Sequence, residues 1–230
     1  MSHQRAEIIG DSLVAENIFF SVMQREILKG VTVRADKGKV TGLLGRNGSG
    51  KSTMLQAMFG TLSVQECNVF VNGKMVKSAY GRAGLVNYMP QIPFLPGSIR
   101  VKEVLTQFDT DLEYVLSHFP ELEEDLDKKI NELSGGKERL WSVLVLLLAK
   151  TRFTLLDEPF THIMPIHVER LKELITAKKA DKGIIITDHL YKQLLEVSDT
   201  LSLMKDGKSI YIRDKQDLVL HGYLSFLESE

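Results

Sequence analysis

The sequence is nearly devoid of cysteine, with Cys67 alone among 230 residues. One thiol cannot form an internal disulfide, and it excludes the clustered cysteines of structural zinc and iron–sulfur sites. Long apolar runs are also missing. The longest, residues 143–149, is far shorter than the roughly 18–20 residues that cross a bilayer. We therefore expect a protein of a reducing compartment, which would meet a membrane only through a partner.

An excess of either charge is absent too. Lysine and arginine number 29 and aspartate and glutamate 30, which gives a net charge of −1 with neutral histidines. So balanced a chain has no overall attraction to nucleic acid or anionic lipid, and we predict no nucleic-acid partner. A hydrophobic content of 43% at this length suits one globular domain.

The order of apolar and polar stretches predicts an α/β fold. Strand-like segments occupy residues 13–20, 31–44 (broken by a turn at 36–39), 69–71, 84–89, 153–156 and 183–187. A helix-like segment, 166–179, separates the last two strands, and strand–helix–strand is typical of a parallel sheet. A mostly helical insert precedes them, in which Leu122 and Leu126, four apart, predict a helical stripe.

Residues 45–52 fit the pattern G-x-x-x-x-G-K-[ST], between an apolar strand-like segment and a helix-like one. Together with the next residue they form what we call the phosphate loop: Gly45, Arg46, Asn47, Gly48, Ser49, Gly50, Lys51, Ser52 and Thr53. Such glycines let backbone N–H groups face one anion at a helix N-terminus. Lys51 would reach the β- and γ-phosphates, and the Ser52 hydroxyl would ligate Mg²⁺. The alternative is a simple glycine turn beside an exposed lysine, but such a turn would not require a strand before it and a helix after it. The pattern therefore predicts a nucleoside triphosphate site.

Two predicted strands end in polar residues. Asp157 and Glu158 follow the strand at 153–156. Asp157 could hold Mg²⁺ through its water shell, and Glu158 could act as a general base on water. His189 follows the strand at 183–187 and could donate to a γ-phosphate or to the attacking water. Acidic turns and single histidines also follow strands for structural reasons, so these residues alone leave both interpretations open.

A second glycine-containing helix start occurs at residues 133–137, Leu-Ser-Gly-Gly-Lys, which we call the signature segment. Ser134 would cap the helix, and Gly135 and Gly136 would offer bare backbone N–H groups. The segment is therefore either an ordinary helix cap or a second anion cradle.

The order of these patterns resembles the nucleotide-binding subunit of an ATP-binding cassette (ABC) transporter. The resemblance covers residues 13–213 and includes Gln91 after Met89-Pro90 and Pro159 after Glu158. It implies a P-loop NTPase (RecA-like) core with an N-terminal antiparallel β subdomain and a short helical subdomain. It also implies a single domain over 1–230, with a core lobe at about 1–91 and 150–230 and a helical subdomain at about 92–149.

The same resemblance implies ATP and Mg²⁺ as ligands and assigns roles to the quoted residues. The implied catalytic residues are Glu158, His189 and Gln91, and the implied metal ligands are Ser52, Gln91 and Asp157. Two subunits would form an ATP-dependent head-to-tail homodimer. The phosphate loop of one subunit would then share each ATP with Ser134, Gly135 and Gly136 of the other.

The implied function is ATP hydrolysis that drives transport through separate transmembrane permease subunits. The chain would then be cytoplasmic and peripheral on the inner face of a membrane. The alternatives are a soluble ABC-type ATPase without a transport role and a regulatory cassette that binds ATP but hardly hydrolyses it. The intact Glu158 disfavours the regulatory cassette.

Several positions depart from the family pattern. Lys137 stands where glutamine is commonest, Leu140 replaces a usual arginine, and Met164 replaces an aspartate of a loop that links the two ATP sites. The aromatic residue that stacks on adenine falls at Val22 by spacing. Phe19 or Phe20 could substitute for it if the strand register is shifted.

Overall fold

The computed structural model describes residues 11–225, so the ends of the predicted 1–230 domain lie outside the described residues. Ten strands are present in this part of the chain: β1 (Ser12–Val22), β2 (Arg25–Asp36), β3 (Val40–Leu44), β4 (Glu66–Val71), β5 (Lys74–Val76), β6 (Val86–Met89), β7 (Phe153–Asp157), β8 (Gly183–Thr187), β9 (Thr200–Lys205) and β10 (Lys208–Ile212). Seven α-helices accompany them: α1 (Lys51–Phe59), α2 (Val101–Gln107), α3 (Leu112–His118), α4 (Gly135–Leu148), α5 (Pro165–Lys178), α6 (Tyr191–Val197) and α7 (Lys215–Leu220).

The first sheet is antiparallel, with strand order β2-β1-β4-β5. Its longest strands, β1 and β2, form a hairpin whose turn residues Met23 and Gln24 both have positive φ, 46° and 66°. This is the left-handed geometry of tight hairpin turns. The pairing of β1 with β2 shifts register at three places, one of them between Phe20 and Ser21. The predicted N-terminal antiparallel β subdomain is confirmed.

The second sheet has the order β10-β9-β3-β8-β7-β6, and all of its pairings are parallel except that of β10 with β9. Every residue of β3, β7 and β8 is buried, as expected for parallel strands covered on both faces. The carboxyl ends of β3, β6, β7 and β8 lie along one edge. This edge therefore carries the phosphate loop, Gln91, Glu158 and His189.

The helical part of the chain packs around α4. This helix buries a continuous stretch from Leu140 to Leu147, and the large side chains of Trp141 and Phe119 lie fully inside the core around it. The predicted P-loop NTPase fold with a short helical subdomain is confirmed. None of the helices in residues 11–225 combines the length and the apolar character of a membrane span.

The regular helix expected around Leu122 and Leu126 is wrong, although both leucines face the core. The chain forms a short 3₁₀ helix there, Pro120–Asp125, which ends before the second leucine. Leu122 is buried in the core, and Leu126, just after this helix, is half-buried and packs against the same core.

Candidate functional site

The phosphate loop joins the end of β3 to the start of α1. Gly50 occupies the N-cap of α1 with φ 97°, a left-handed conformation that favours glycine. A Cβ at this position would also lie 2.9 Å from Leu28 Cδ2. No side chain caps the helix, so its first N–H groups keep their capacity to bind an anion.

Lys51 is buried at the start of α1, with 5% of its surface exposed. Its Nζ donates to the carbonyl oxygens of Gly45 (2.7 Å) and Arg46 (3.4 Å). Burial lowers the pKa of Lys51, and the negative charges of Glu158, Asp157 and Asp188 oppose that shift. The loop thus holds a cation that faces the acidic ends of β7 and β8.

A cavity of about 860 Å³ opens over this loop, within the size range of small-molecule sites. It is lined by Phe20, Val22, Met23, Arg25, Ile27, Asn47, Gly48, Ser49, Gly50, Lys51, Ser52, Thr53, Gln91 and Glu158. Arg46 instead points to the other side of the loop, where its Nη2 donates to the carbonyl of Gly222 (3.3 Å). The cavity therefore unites seven of the nine predicted loop residues with two of the three predicted catalytic residues.

Glu158 follows β7 and has positive φ, 53°, which is uncommon for a residue with a side chain. Its backbone N–H donates to the carbonyl of Thr187 at the end of β8 (2.8 Å). Its carboxylate accepts a hydrogen bond from Gln91 Nε2 (3.0 Å) and lies 3.5 Å from His189 Nδ1. The structure thus brings together Glu158, Gln91 and His189, which the sequence places far apart.

Asp157 lies behind the cavity and is fully buried. One carboxylate oxygen accepts a hydrogen bond from the Thr187 hydroxyl and the other from the Tyr88 hydroxyl (3.3 Å). Ser52 and Gln91, in contrast, line the cavity itself. Hydroxyl, amide and carboxylate oxygens are the hard donors that Mg²⁺ prefers, often with water and substrate phosphates completing the shell. The residues present fit such an ion, with Asp157 as an outer partner.

The signature segment starts α4, and Ser134 is its N-cap, accepting from the backbone N–H of Lys137 (3.4 Å). Among the described residues, Ser134, Gly135 and Gly136 do not belong to the lining of the cavity over the phosphate loop. Lys137 turns away into the helical part, where its Nζ pairs with Glu124 (2.5 Å) and with the buried Asp125 (2.9 Å).

The structure separates the candidates for base stacking. Phe20 and Val22 are two residues apart on β1, and both line the cavity. The ring of Phe19, in contrast, packs over Gly30. Val22 is 45% exposed. Phe20 is therefore an aromatic residue on the cavity wall, whereas Phe19 does not line the cavity.

Met164 occupies the N-cap of α5 without a side-chain hydrogen bond to the helix and is 54% exposed. The loop before it approaches the signature segment of the same chain. A Cβ on Gly136 would lie 2.5 Å from the carbonyl oxygen of His162, which itself has φ 65°. The second glycine of the signature segment is thus required for packing within one subunit.

Sequence reasoning missed Arg139, whose guanidinium contacts the carbonyl oxygens of residues on both loops beside Glu158. A signal was present, because Arg139 immediately precedes Leu140, where the family usually has arginine. Tyr88 and Thr187, which hold Asp157, carry no such sequence signal.

A parallel sheet whose central strand feeds a phosphate loop into a helix, beside acidic strand ends, defines a P-loop NTPase. The family model described as "ABC transporter" matches residues 28–161. The lipopolysaccharide export system ATP-binding protein LptB of Acidithiobacillus ferridurans is 30% identical over 92% of this chain and 93% of that protein. The probable branched-chain amino acid transport ATP-binding protein LivF of Archaeoglobus fulgidus is 30% identical over 85% of this chain and 89% of its own length. The chain belongs to the ABC transporter family.

Solved structures show the same fold. An ATP-binding subunit of an ABC transporter superposes with a TM-score of 0.78 over 93% of this chain and 94% of that chain, at 20% identity. A nucleotide-free ATP-binding cassette from an ABC transporter gives a TM-score of 0.73 over 95% and 97% of the two chains, at 24% identity.

Proposed function

We propose that this chain is the ATP-hydrolysing subunit of an ABC transporter. The observation that carries the proposal is the placement of Glu158. Its carboxylate lies at the wall of the cavity, between Gln91 and His189 and close enough to Lys51 for their charges to interact. A general base beside a phosphate-binding lysine is the arrangement that hydrolysis of a triphosphate requires.

The side chains divide the work as follows. Lys51 and the uncapped N-terminus of α1 bind the phosphates, which pull Lys51 Nζ from the carbonyls of Gly45 and Arg46. Glu158 accepts a proton from the attacking water, and His189 donates toward the γ-phosphate. Ser52, Gln91 and, more distantly, Asp157 would hold Mg²⁺, which would neutralise phosphate charge when bound.

The proposal includes an ATP-dependent head-to-tail homodimer. The signature segment lies outside the cavity of its own chain, and the N-cap residue Ser134 is exposed at the start of α4. A second subunit would bring its Ser134, Gly135 and Gly136 to the γ-phosphate side of the cavity. Each site would then be complete only in the dimer.

We further infer that hydrolysis drives transport through separate transmembrane permease subunits. Two relatives whose printed names assign them to export and to transport as ATP-binding proteins support this inference. The chain would then be cytoplasmic and peripheral on the inner membrane face. In this proposal residues 92–149 form the lobe that meets the permease, on a core lobe of residues 1–91 and 150–230. The hydrogen-bonded carboxylate of Glu158 favours hydrolysis over a merely regulatory role.

The test is the variant Lys51→Ala, which removes the cation that faces the β- and γ-phosphates. We expect it to lose ATP binding, measured by titration with a fluorescent ATP analogue. Lys102→Ala is the matched control, because Lys102 pairs with Asp127 on the surface of the helical part (2.6 Å) and should bind as wild type does. Unchanged affinity of Lys51→Ala would refute the assignment of the phosphate loop.

A further inference from the structure

Arg139 lies on the second turn of α4, and within residues 11–225 its guanidinium donates to backbone carbonyl oxygens only. Nη1 donates to Pro90 (2.8 Å) and to Gln91 (3.1 Å), and Nη2 donates to Asp157 and to Glu158 (2.9 Å). Pro90 and Gln91 follow β6, Asp157 is the last residue of β7, and Glu158 follows it. A single side chain therefore ties together the two loops that supply Gln91 and Glu158.

The bonds to β7 fall where the backbone is strained. Glu158 holds φ at 53°, and a left-handed conformation of such a residue persists only where its surroundings enforce it. Arg139 binds the carbonyl of Glu158 and the carbonyl just before it, on the two peptide units that flank the strained residue. The Thr187 carbonyl holds the Glu158 N–H from the other side.

Arg139 also donates to the loop after β6, which carries Gln91. Gln91 reaches Glu158 through its side chain, and Arg139 holds the Gln91 backbone while it does so. The planar fork of a guanidinium can donate to several acceptors at fixed angles, which the point charge of a lysine cannot do. The chemistry of the four acceptors thus requires arginine.

We propose that Arg139 is a positioning residue that fixes the Glu158 carboxylate against Gln91 and so sets the hydrolysis rate without contacting ATP. Among residues 11–225, Arg139 is not part of the lining of the cavity over the phosphate loop. Its loss should therefore leave nucleotide affinity largely intact. The proposal rests on ATP hydrolysis as the function of the site.

The experiment compares Arg139→Lys with wild type in steady-state ATP hydrolysis and in binding of a fluorescent ATP analogue. A misplacement of about 1 Å can cost about a hundredfold in rate, so we expect kcat to fall by about ten- to a hundredfold. The Kd for the analogue should stay within about threefold, as expected for a residue outside the cavity. Arg170→Met is the control, since Arg170 pairs with Glu121 on the outer face of α5 (2.8 Å) and should keep the wild-type kcat.

A second variant separates positioning from a general loss of packing. Arg139→Ala leaves a space beside the four carbonyls, and millimolar guanidinium chloride should restore part of its kcat, whereas sodium chloride at the same concentration should not. Wild-type kcat in Arg139→Lys, or equal losses of kcat and affinity, would overturn the proposal. So would a rate in Arg139→Ala that guanidinium does not raise. A wild-type chain without ATP turnover would instead refute the proposed function itself.

Discussion

At the scale of single residues, Lys182 is an ionisable group remote from the cavity. It precedes β8 at the amino end of the sheet, opposite the phosphate loop, and only 3% of it is exposed. Its Nζ donates to the Ala149 carbonyl (2.6 Å) and to the hydroxyls of Thr154 (3.3 Å) and Thr151 (3.4 Å). Burial lowers its pKa from 10.5 to about 8.

This shift predicts a pH dependence of stability. Below pH 8 the lysine is charged in both the folded and unfolded states, so its burial penalty is constant. Between about pH 8 and 10.5 the unfolded chain binds more protons, and the free energy of unfolding should rise with pH, by on the order of 3 kcal/mol in total.

The measurement is urea unfolding of wild type and Lys182→Met from pH 7.5 to 10.5. The methionine variant cannot titrate at this position, so the wild type should gain stability relative to it across that window. A difference between the two proteins that stays constant with pH would show that Lys182 does not titrate abnormally in the folded state.

The burial of Lys182 could not be predicted from the sequence. Lys51 was identified because its partners are its neighbours in a fixed local pattern, and Glu158 because it ends an apolar strand. The environment of Lys182 depends on Ala149 and Thr154, and that of Arg139 on Pro90 and Glu158. Such contacts exist only once the chain has folded.

At the scale of elements, the start of α4 carries two glycines with different surroundings. A Cβ on Gly135 would meet no atom within 4 Å, whereas one on Gly136 would lie 2.5 Å from the His162 carbonyl oxygen. We predict that Gly136→Ala lowers the urea midpoint, because the backbone before α5 must move. Gly135→Ala should leave the midpoint unchanged or raise it, since alanine favours a helix by up to about 1 kcal/mol.

Both variants are compared with wild type in the same urea titration, without nucleotide, so that any role in ATP binding does not enter. Equal midpoints for the two alanine variants would contradict the contact between Gly136 and the loop at His162.

Strands that are continuous apolar runs could be predicted from the sequence. An element whose end is fixed by buried polar contacts could not. β3, β7 and β8 are wholly apolar or nearly so and bounded by turn residues, and the predicted segments match them closely. The spacing of Leu122 and Leu126 predicts a regular helical stripe, whereas the chain forms the 3₁₀ helix Pro120–Asp125 there. Its last residue, Asp125, is buried and held by Lys128 and Lys137, contacts that leucine spacing does not reveal.

At the scale of the whole molecule, Met164 would bear on communication between the two subunits of the proposed homodimer. A carboxylate there would accept hydrogen bonds near the facing phosphate loop, and a thioether is a poor acceptor. We predict that Met164→Asp raises the ATPase rate or its Hill coefficient. The substitution should also cap α5, which has no side-chain cap now, and add about 0.5–2 kcal/mol of stability.

Met164→Ser is the matched control, since serine caps a helix without adding a charge. Steady-state ATPase titrations and urea unfolding of both variants separate the two effects. Both should gain stability, and only the aspartate variant should gain rate or cooperativity. Identical kinetics in the two variants would show that Met164 has no role between sites.

The arrangement of the two sheets could be expected mainly because the sequence resembles ABC transporter nucleotide-binding subunits. Local patterns predicted an α/β core, but only the family pattern implied a separate antiparallel sheet. Strand order in the parallel sheet depends on crossovers between distant segments, such as β3 lying between β8 and β9. The gathering of Gln91, Glu158 and His189 at one edge is a consequence of that order.

The most direct test of the account is Glu158→Gln, assayed for MgATP binding, hydrolysis and mass by light scattering. Glutamine preserves an oxygen that can accept the hydrogen bond from Gln91 Nε2, so the cavity should keep its shape, but an amide cannot take a proton from water. We predict wild-type affinity for ATP, loss of turnover by about two orders of magnitude or more, and a stable dimer with MgATP. Turnover at the wild-type rate in this variant would contradict the account, because Glu158 would then not be the base.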